Sequence, residues 1–367
     1  MKIGKVSESV LKRSVLRQLK TKNENVLCGA GVGDDCAIFA LSDTEKLATC
    51  VQEGVVLPST MSPKGKRPQD SLFMQMPEAE HDTKADRDEQ AAAVDVTAVT
   101  MTQLVQKCVN NLVADGATPF AVMISLLLPE TIEEPQIKQL MAEAEKACSG
   151  QAVPIQIAGG QTRVSSAVNA PIATITGYGK ITGNDYRTAA SAKPGQDIVI
   201  SKWIGLEGTA VLAARNREKL LGRYPAYLVE EAEGFDKYLS IVPEAATAMK
   251  SGVCAMHDAS EGGIFAALWE LAEGAGVGLT IDLKKLPLRQ ETVEVCECCN
   301  VNPYELKSGG SLVMTTEDGL GLVAALEAQG IPAAVVGKLT DSNDRIIINE
   351  DETRYMDRPR TDEVYKI

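Results

Sequence analysis

The residues with the clearest chemical potential form a short glycine- and aspartate-rich segment near the N-terminus. Residues 31–35 read GVGDD, and Gly29 lies just before them. Glycines let backbone N–H groups approach an anion closely, and adjacent carboxylates can hold a hard cation that bridges phosphates. The segment therefore favours Mg-nucleotide binding, although a tight solvated turn has the same composition. It is not a Walker A loop, because no Lys-Ser or Lys-Thr follows at the required spacing.

A second polar segment lies in the other half of the chain, at residues 257–263, which read HDASEGG directly before the apolar run IFAALWELA. The N-terminus of a helix here would present backbone amides to a phosphate or a carboxylate. The alternative is a helix-capping arrangement with Ser260 or Asp258 as the cap. Two further glycine segments, GGQT at 159–162 and SGGS at 308–311, are predicted as loops at strand ends. Each is weak alone, but four such segments in one chain favour anion binding.

Charge and composition exclude several classes of function. With 37 basic and 50 acidic residues the net charge is −13, which is the wrong sign for a general grip on nucleic-acid phosphates or anionic lipid. We therefore expect no nucleic-acid partner and no membrane partner. Two histidines are too few for a His-rich zinc or copper site, so a metal would need oxygen ligands. No secretion signal or spanning segment is recognisable, and a cytoplasmic location is expected.

Cysteine usage is typical of reduced thiols. The nine cysteines are an odd number scattered along the chain, which does not suggest a disulfide framework. Cys296, Cys298 and Cys299 form one C-x-C-C cluster without a second pair nearby. The cluster is a weak signal for zinc or an iron–sulfur centre, and packing of small apolar side chains is the alternative.

Length and patterning predict two domains built from both helices and strands. A chain of 367 residues exceeds what one core usually organises. The segment AASAKPGQD favours a boundary that gives domains at 1–188 and 189–367. Helices and strands mix without a regular βαβ period, so the fold class is α+β (mixed α/β). Because aromatic residues make up only 4%, the core must consist mainly of Ala, Val, Leu, Ile and Met.

Periodicity gives the individual elements. Helical spacing predicts helices over 5–20 with Ser7 as cap, and over 91–117, 129–148, 205–221, 245–250 and 320–329. Apolar runs predict strands over 120–128, 155–162, 170–181, 277–283, 308–316 and 333–341, and another beginning at 197. Residues 58–90 carry four prolines and dense charge, which predicts a mobile loop or an insertion.

The ordered set of motifs resembles the AIR synthase-related superfamily, nearest its HypE-like hydrogenase maturation branch, and the resemblance covers nearly the whole chain. It rests on GVGDDCAIF (31–39), CVNNLVADGATP (108–119), AGGQT (158–162), GLEGTAVLAAR (205–215), MHDASEGGIFAALWELAEGAGVGLTID (256–282) and SGGSLVM (308–314).

This resemblance implies a two-domain chain whose N-terminal domains pair into a homodimer, with strands of both subunits forming a β-barrel. It implies that ATP binds beside the barrel with Mg²⁺ on its phosphates, and that the γ-phosphate passes to an oxygen of a small-molecule or protein-terminus substrate. In the HypE and purine branches the phosphorylated amide oxygen becomes a leaving group, whereas in the kinase branch the phosphoryl group stays.

Family roles carried over by position give the candidate site. The catalytic residues implied are Asp34, Asp35 and Asp258, and the metal ligands implied are Asp34, Asp35 and Asp115. The nucleotide-binding residues implied are Gly31, Gly33, Asn110, Asn111, Asp115, Gly159, Gly160, Gln161, Thr162, Gly262 and Gly263.

The chain departs from the family pattern at two expected carboxylates. Asn111 and Gln161 stand where the family has Asp, so two formal charges that attract Mg²⁺ are missing. Asp115, one helical turn after Asn111, is a candidate for partial compensation. Three hypotheses follow: an ATP- and Mg-dependent enzyme that activates an amide, carboxylate or similar oxygen, a non-catalytic nucleotide-binding or scaffold homologue, and a small-molecule kinase.

Cysteine positions also depart from relatives. The HypE-like branch uses a terminal cysteine to carry its thiocarboxamide, whereas the last cysteine here is Cys299, so that chemistry is not implied. Selenophosphate synthetases place a reactive cysteine near the first glycine segment. Cys28 and Cys36 flank that segment, but neither clearly matches this pattern.

Overall fold

The computed structural model describes residues 8–19, 23–57 and 98–366. The chain forms two compact units. The first unit combines Met1–Cys50, Val109–Pro119 and Tyr178–Ile367, and the second combines Val51–Cys108 and Phe120–Gly177. Two separate sheets with helices confirm the expected α+β (mixed α/β) class. The domain boundary at 188/189 stays a prediction.

The first sheet has six strands in the order β1-β2-β3-β6-β4-β5. Its strands and the helices between them are β1 Val26–Cys28, β2 Ala37–Ala40, β3 Glu45–Val55, α1 Met101–Ala114, β4 Thr118–Leu128, α2 Glu134–Ser149, β5 Gln156–Val164 and β6 Ile172–Thr182. The helices predicted for 91–117 and 129–148 and the strands predicted for 120–128, 155–162 and 170–181 are confirmed within these bounds. No sequence prediction covers strand β3.

Several sequence predictions fall outside the described residues. They are the loop or insertion at 58–90, the first part of the helix predicted for 91–117, and the cap Ser7. The described part of the predicted N-terminal helix, residues 8–18, is an irregular helical segment that passes from α to π to 3-10 geometry.

The second sheet has seven strands in the order β13-β12-β9-β11-β7-β10-β8. Its strands and surrounding helices are β7 Asp197–Ser201, α3 Leu206–Arg215, α4 Arg217–Leu221, α5 Ala226–Glu233, α6 Val242–Lys250, β8 Ala255–Ala259, α7 Gly263–Ala275, β9 Gly278–Asp282, α8 Gln290–Cys299, β10 Ser311–Thr316, α9 Gly319–Glu327, β11 Ala333–Thr340, β12 Arg345–Asn349 and β13 Glu352–Tyr355. Within the described residues, no helix is long and apolar enough to cross a membrane.

Strand β8 and helix α7 are both largely buried in the first unit. Every residue of β8 is buried, and nine residues of α7 between Gly263 and Ala272 are buried. Ile264, Leu268 and Leu271 pack in one core with Ile198 and Ile200 of β7. Phe265 and Trp269 are the buried aromatic residues of this cluster, so the expected aliphatic core is confirmed.

The glycine-aspartate segment lies directly against α7 because two glycines remove side chains from the contact. Gly33 has a φ of +81°, and a Cβ there would come within 2.3 Å of the Glu270 carbonyl oxygen. From the other side, a Cβ at Gly274 would come within 2.7 Å of the Val32 carbonyl oxygen. This close approach fixes the position of the following aspartates relative to α7.

The contact predicts a specific cost for a side chain at position 33. We expect Gly33→Ala to lower the free energy of unfolding by about 2–4 kcal/mol, because it adds a backbone collision to the strain of a positive φ. Gly195→Ala is the matched control, since its φ is +90° and nothing lies within 4 Å of the added Cβ. The control should lose only about 1 kcal/mol. Equal losses in urea denaturation would contradict the close contact.

Candidate functional site

Two groups of strand β8 contact the Asp35 carboxylate. Its Oδ2 lies 3.0 Å from Nδ1 of His257 and accepts a hydrogen bond from the backbone N–H of Asp258 at 3.2 Å. Both partners belong to β8, and their positions are set by pairing with β10, where His257 is opposite Val313. The predicted residues Asp35 and Asp258 are therefore brought together, although Asp258 meets Asp35 through its backbone.

His257 lies between two carboxylates. While Nδ1 faces Asp35, Nε2 lies 3.3 Å from Oε2 of Glu270 on α7, and the histidine is only 4% exposed. Burial alone would lower the pKa of His257, but the charge of Asp35 and hydrogen bonds to Asp35 and Glu270 outweigh it and raise the pKa well above its usual value. The imidazolium form, with both N–H groups donating, is therefore favoured.

Asp115 and Asp34 share the electrostatic environment of Asp35. Asp115 directly follows α1 and is 1% exposed, and its Oδ2 has no hydrogen-bond partner among the described residues. Burial and then the negative charges of Asp35 and Asp34 raise the pKa of Asp115 well above its usual value. Burial also raises the pKa of Asp34, followed by the charge of Asp35, although a Cys28 hydrogen bond opposes this. A cation would relieve the repulsion among the three carboxylates.

The carboxylates of Asp34, Asp35 and Asp115 are suitable ligands for the magnesium that the family implies, provided that it binds together with a nucleotide. All three side chains offer hard oxygen atoms, and the buried Oδ2 of Asp115 has no hydrogen bond to satisfy it. Within residues 8–19, 23–57 and 98–366, no group of three His, Cys, Asp or Glu side chains is arranged to hold a metal ion. Mg²⁺ commonly takes one or two carboxylates and completes its shell with water and substrate phosphates. A shared site of Asp34, Asp35 and Asp115 stays a prediction.

The cysteines beside the aspartates are not activated nucleophiles. Burial and the charges of Asp34 and Asp115 raise the pKa of Cys28 to about 12. A hydrogen bond with Cys50 and burial raise the pKa of Cys36, whose thiol lies 3.3 Å from the Asn111 carbonyl oxygen. A reactive cysteine normally has a depressed pKa, because the thiolate is the nucleophile. The raised pKa values do not support a nucleophilic role for either thiol.

The C-x-C-C cluster also packs within the fold. It forms the end of α8, where Cys296 and Cys298 are buried, and all nine cysteines are free thiols. Burial, with smaller contributions from Cys299 and Glu363, raises the pKa of Cys296 to about 12. The geometry supports the packing interpretation.

Asn110 has contacts that tie α1 to the segment before α6. Its Nδ2 donates to the Leu239 carbonyl oxygen at 2.8 Å, and its Oδ1 accepts from the Ile241 N–H at 3.2 Å. Both ends of the buried amide are thus used inside the first unit. Asn111, the next residue, is half-buried.

Gly31 leaves room for the side chain of Asp34. A Cβ at this position would come within 2.2 Å of the Asp34 carboxylate.

Residues 159–162 lie within strand β5 of the second unit, in agreement with the strand predicted over 155–162, and the interpretation of GGQT as a loop at the strand end is wrong. Gly159, Gly160, Gln161 and Thr162 pair in parallel with residues 123–126 of β4. Gly160 has a φ of +150°, and a Cβ there would come within 1.8 Å of the Ile124 carbonyl oxygen. The glycines therefore allow a close approach between the two strands, and the strand continues to Val164.

The N-terminus of α7 receives a carboxylate from the chain itself. The Gly262 N–H donates to Oδ2 of Asp362 at 2.6 Å, and Asp362 Oδ1 also accepts from the N–H groups of Lys307 and Val364. Neither Ser260 nor Asp258 caps the helix, so the capping interpretation of these two residues is wrong. Asp258 is held in β8, and Gly262 and Gly263 both have positive φ at the strand-to-helix turn.

Asp362 should make stability depend on pH. Burial raises its pKa to about 6, against the opposing effect of the backbone N–H groups and Lys307. Because the folded pKa exceeds the unfolded value, the stabilisation present at low pH is lost as pH rises through about 6.

The expected result is that, between pH 4.5 and 7, the wild-type free energy of unfolding falls by about 2 kcal/mol relative to Asp362→Asn, which cannot titrate. Denaturant unfolding of both proteins across this range measures the difference. Parallel pH profiles would contradict the assignment.

Two family models match the chain. Residues 92–181 match the AIR synthase related protein, N-terminal domain, and residues 193–349 match the AIR synthase related protein, C-terminal domain. The chain belongs to the AIR synthase-related family. The family expected from the motifs is thereby confirmed, and the predicted boundary at 188/189 falls between the two matched regions.

The chain is also similar to individual proteins of this AIR synthase-related family. Carbamoyl dehydratase HypE of Rhodobacter capsulatus is 29% identical over 236 residues, which cover 63% of this chain and 66% of that protein. The match thus spans just under two thirds of the relative's length. A HypE–HypF complex has a TM-score of 0.66 at 20% identity, covering 95% of this chain and 99% of that chain. HypE in complex with ATP has a TM-score of 0.64 at 17% identity, covering 99% and 97%. These two likenesses show the shared fold.

Proposed function

We propose that this protein is an ATP- and Mg-dependent enzyme that phosphorylates an amide, carboxylate or similar oxygen of its substrate and so activates it. The observation that carries the proposal is the interacting set of Asp34, Asp35 and Asp115, in which Asp35 is anchored by β8 and the buried Asp115 Oδ2 has no hydrogen bond among the described residues. Neighbouring carboxylates in which the charge of Asp35 raises the pKa of Asp34 and Asp115 support a cation-dependent role.

The arrangement suits phosphoryl transfer. This reaction depends mainly on positioning and on neutralising charge, rather than on an elaborate set of acids and bases. Magnesium would supply that neutralisation on the phosphates, and Asp34, Asp35 and Asp115 would hold it. The β8 backbone and His257 fix the direction of Asp35, while the contact of Gly33 with α7 fixes the loop that carries it.

The substrate class is proposed from relatives. HypE is a carbamoyl dehydratase in Rhodobacter capsulatus, and solved HypE structures include complexes with ATP and with HypF. We therefore propose an amide or carboxylate oxygen as the phosphoryl acceptor, carried by a small molecule or by a protein terminus that a partner protein presents. The homodimer and its shared barrel belong to the same proposal.

Turnover tests this function. ADP release is measured with ATP, Mg²⁺ and a panel of amides, carboxylates and C-terminal peptides. Asp35→Asn should lower the rate at least about a hundredfold, because it removes a charge that holds the metal against the phosphates. Asp43→Asn is the control, since Asp43 is an exposed carboxylate in the turn between β2 and β3 and should leave the rate unchanged. Equal rates in the two variants would reject the assignment of Asp35.

A non-catalytic nucleotide-binding or scaffold protein is the second candidate. It is favoured by the neutral side chains of Asn111 and Gln161, where the family has carboxylates, and by the finding that no described group of three ligands is preformed. Tight ATP binding without ADP release on any substrate class would favour it. A stable phosphorylated product would instead single out a small-molecule kinase.

A further inference from the structure

A chain of three side chains connects the loop, the strand and the helix at the candidate site. Asp35 Oδ2 lies 3.0 Å from His257 Nδ1, and His257 Nε2 lies 3.3 Å from Glu270 Oε2. The side chains of Asp35, His257 and Glu270 are 11%, 5% and 16% exposed, respectively. These three side chains are therefore largely shielded from water, and electrostatic contacts are stronger in such a shielded environment than in water.

The geometry distinguishes the two oxygens of Asp35. Oδ2 faces two donors from adjacent residues of β8, the His257 ring and the Asp258 backbone N–H. Oδ1 receives no hydrogen bond from any residue that the structure describes. One oxygen thus anchors the carboxylate, and the other is left for an external ligand.

Glu270 contacts the acidic loop through its backbone and His257 of β8 through its side chain. Its carbonyl oxygen faces Gly33, where a Cβ would come within 2.3 Å, and its carboxylate faces Nε2 of His257. The helix therefore sets both the path of the loop backbone and the orientation of the imidazole ring. Rotation of either group would change the direction of the Asp35 carboxylate.

We propose that His257 and Glu270 are positioning residues for Asp35, which clamp its Oδ2 so that Oδ1 is presented to the metal-bound nucleotide. The assignment rests on the proposed function, because it names the residues that prepare that site. Glu270 acts through His257, and His257 acts through Asp35.

Orientation explains the cluster better than stability does. Burying an ion pair costs desolvation that the mutual attraction often fails to offset, so well-packed apolar residues would serve the core at least as well. A hydrogen-bonded chain instead fixes rotamers and leaves one geometry for the ligand oxygen. The observed contacts end on Asp35, a residue of the candidate metal set.

Metal dependence of nucleotide binding tests the proposal. A fluorescent ATP analogue is held at fixed concentration and titrated with Mg²⁺. We expect His257→Ala to raise the half-saturating Mg²⁺ concentration at least about tenfold, because the buried hydrogen bond to Asp35 is lost. His257→Asn, whose amide can replace the Nδ1 donor, should recover most of this loss. Thermal melts of each variant establish that it is folded.

Two glutamates of α7 provide a matched comparison. Glu270→Gln weakens the contact to His257, whereas Glu273→Gln changes a residue that contacts Lys12 and Arg345 instead. We expect a rise of about threefold to tenfold in the required Mg²⁺ for Glu270→Gln and no change for Glu273→Gln. A purely structural role would instead lower the melting temperatures without separating the Mg²⁺ requirements.

The outcomes separate this inference from the function on which it rests. If the wild-type protein binds no nucleotide at saturating Mg²⁺, the proposed function fails. If wild type binds and both His257→Ala and Glu270→Gln bind with an unchanged Mg²⁺ requirement, the positioning role is wrong and the function stands.

A measurement on metal-free protein checks the clamp directly. The sequence has two histidines, His81 and His257, so a His81→Gln background leaves one imidazole to observe. We expect a strongly downfield ring N–H proton resonance that shifts upfield in Asp35→Asn and persists in Glu273→Gln. A resonance that Asp35→Asn does not move would overturn the contact on which the proposal depends.

Discussion

Repulsion among Asp34, Asp35 and Asp115 is the constraint on which the site depends. The charge of Asp35 contributes to the raised pKa of each of the other two, and all three are at least partly removed from water. Such an arrangement costs free energy in the absence of a cation, so the fold must supply compensation. His257 supplies one positive neighbour, and the Asp258 N–H supplies one backbone donor.

The compensation depends on how strand β8 leads into helix α7. Residues of β8 bind the Asp35 carboxylate, and helix α7, which follows β8, packs against the loop backbone at Gly33. Gly262 and Gly263, which both have positive φ, make the turn between β8 and α7 possible. Asp362 accepts a hydrogen bond from the Gly262 N–H at this turn. A single strand–turn–helix unit thereby fixes the acidic loop, which is 222 residues away from His257 in sequence.

The sequence predicted the family, the fold class, most elements and the acidic loop, because these follow from periodicity and from ordered local motifs. The partners within the site did not follow from the sequence. Glu270 lies in an apolar helical run, where a lone glutamate is expected to point to solvent. Its contact with His257 exists only once strand β8 and helix α7 pack together. Asp362 similarly accepts a hydrogen bond from the backbone N–H of Gly262, which is 100 residues earlier in the chain. Of the two predictions for residues 159–162, the strand is confirmed and the loop at its end is wrong, because the glycines serve a close approach between β4 and β5.

The acidic cluster of Asp34, Asp35 and Asp115 is proposed to bind a metal that carries a nucleotide. A crystal structure with a non-hydrolysable ATP analogue and Mn²⁺, located by anomalous scattering, tests it most directly. We expect a metal peak next to the phosphates and next to at least one oxygen of Asp34, Asp35 or Asp115, with Asp35 bound through Oδ1 while Oδ2 remains on His257. Nucleotide and metal bound elsewhere, with these carboxylates unchanged, would contradict it.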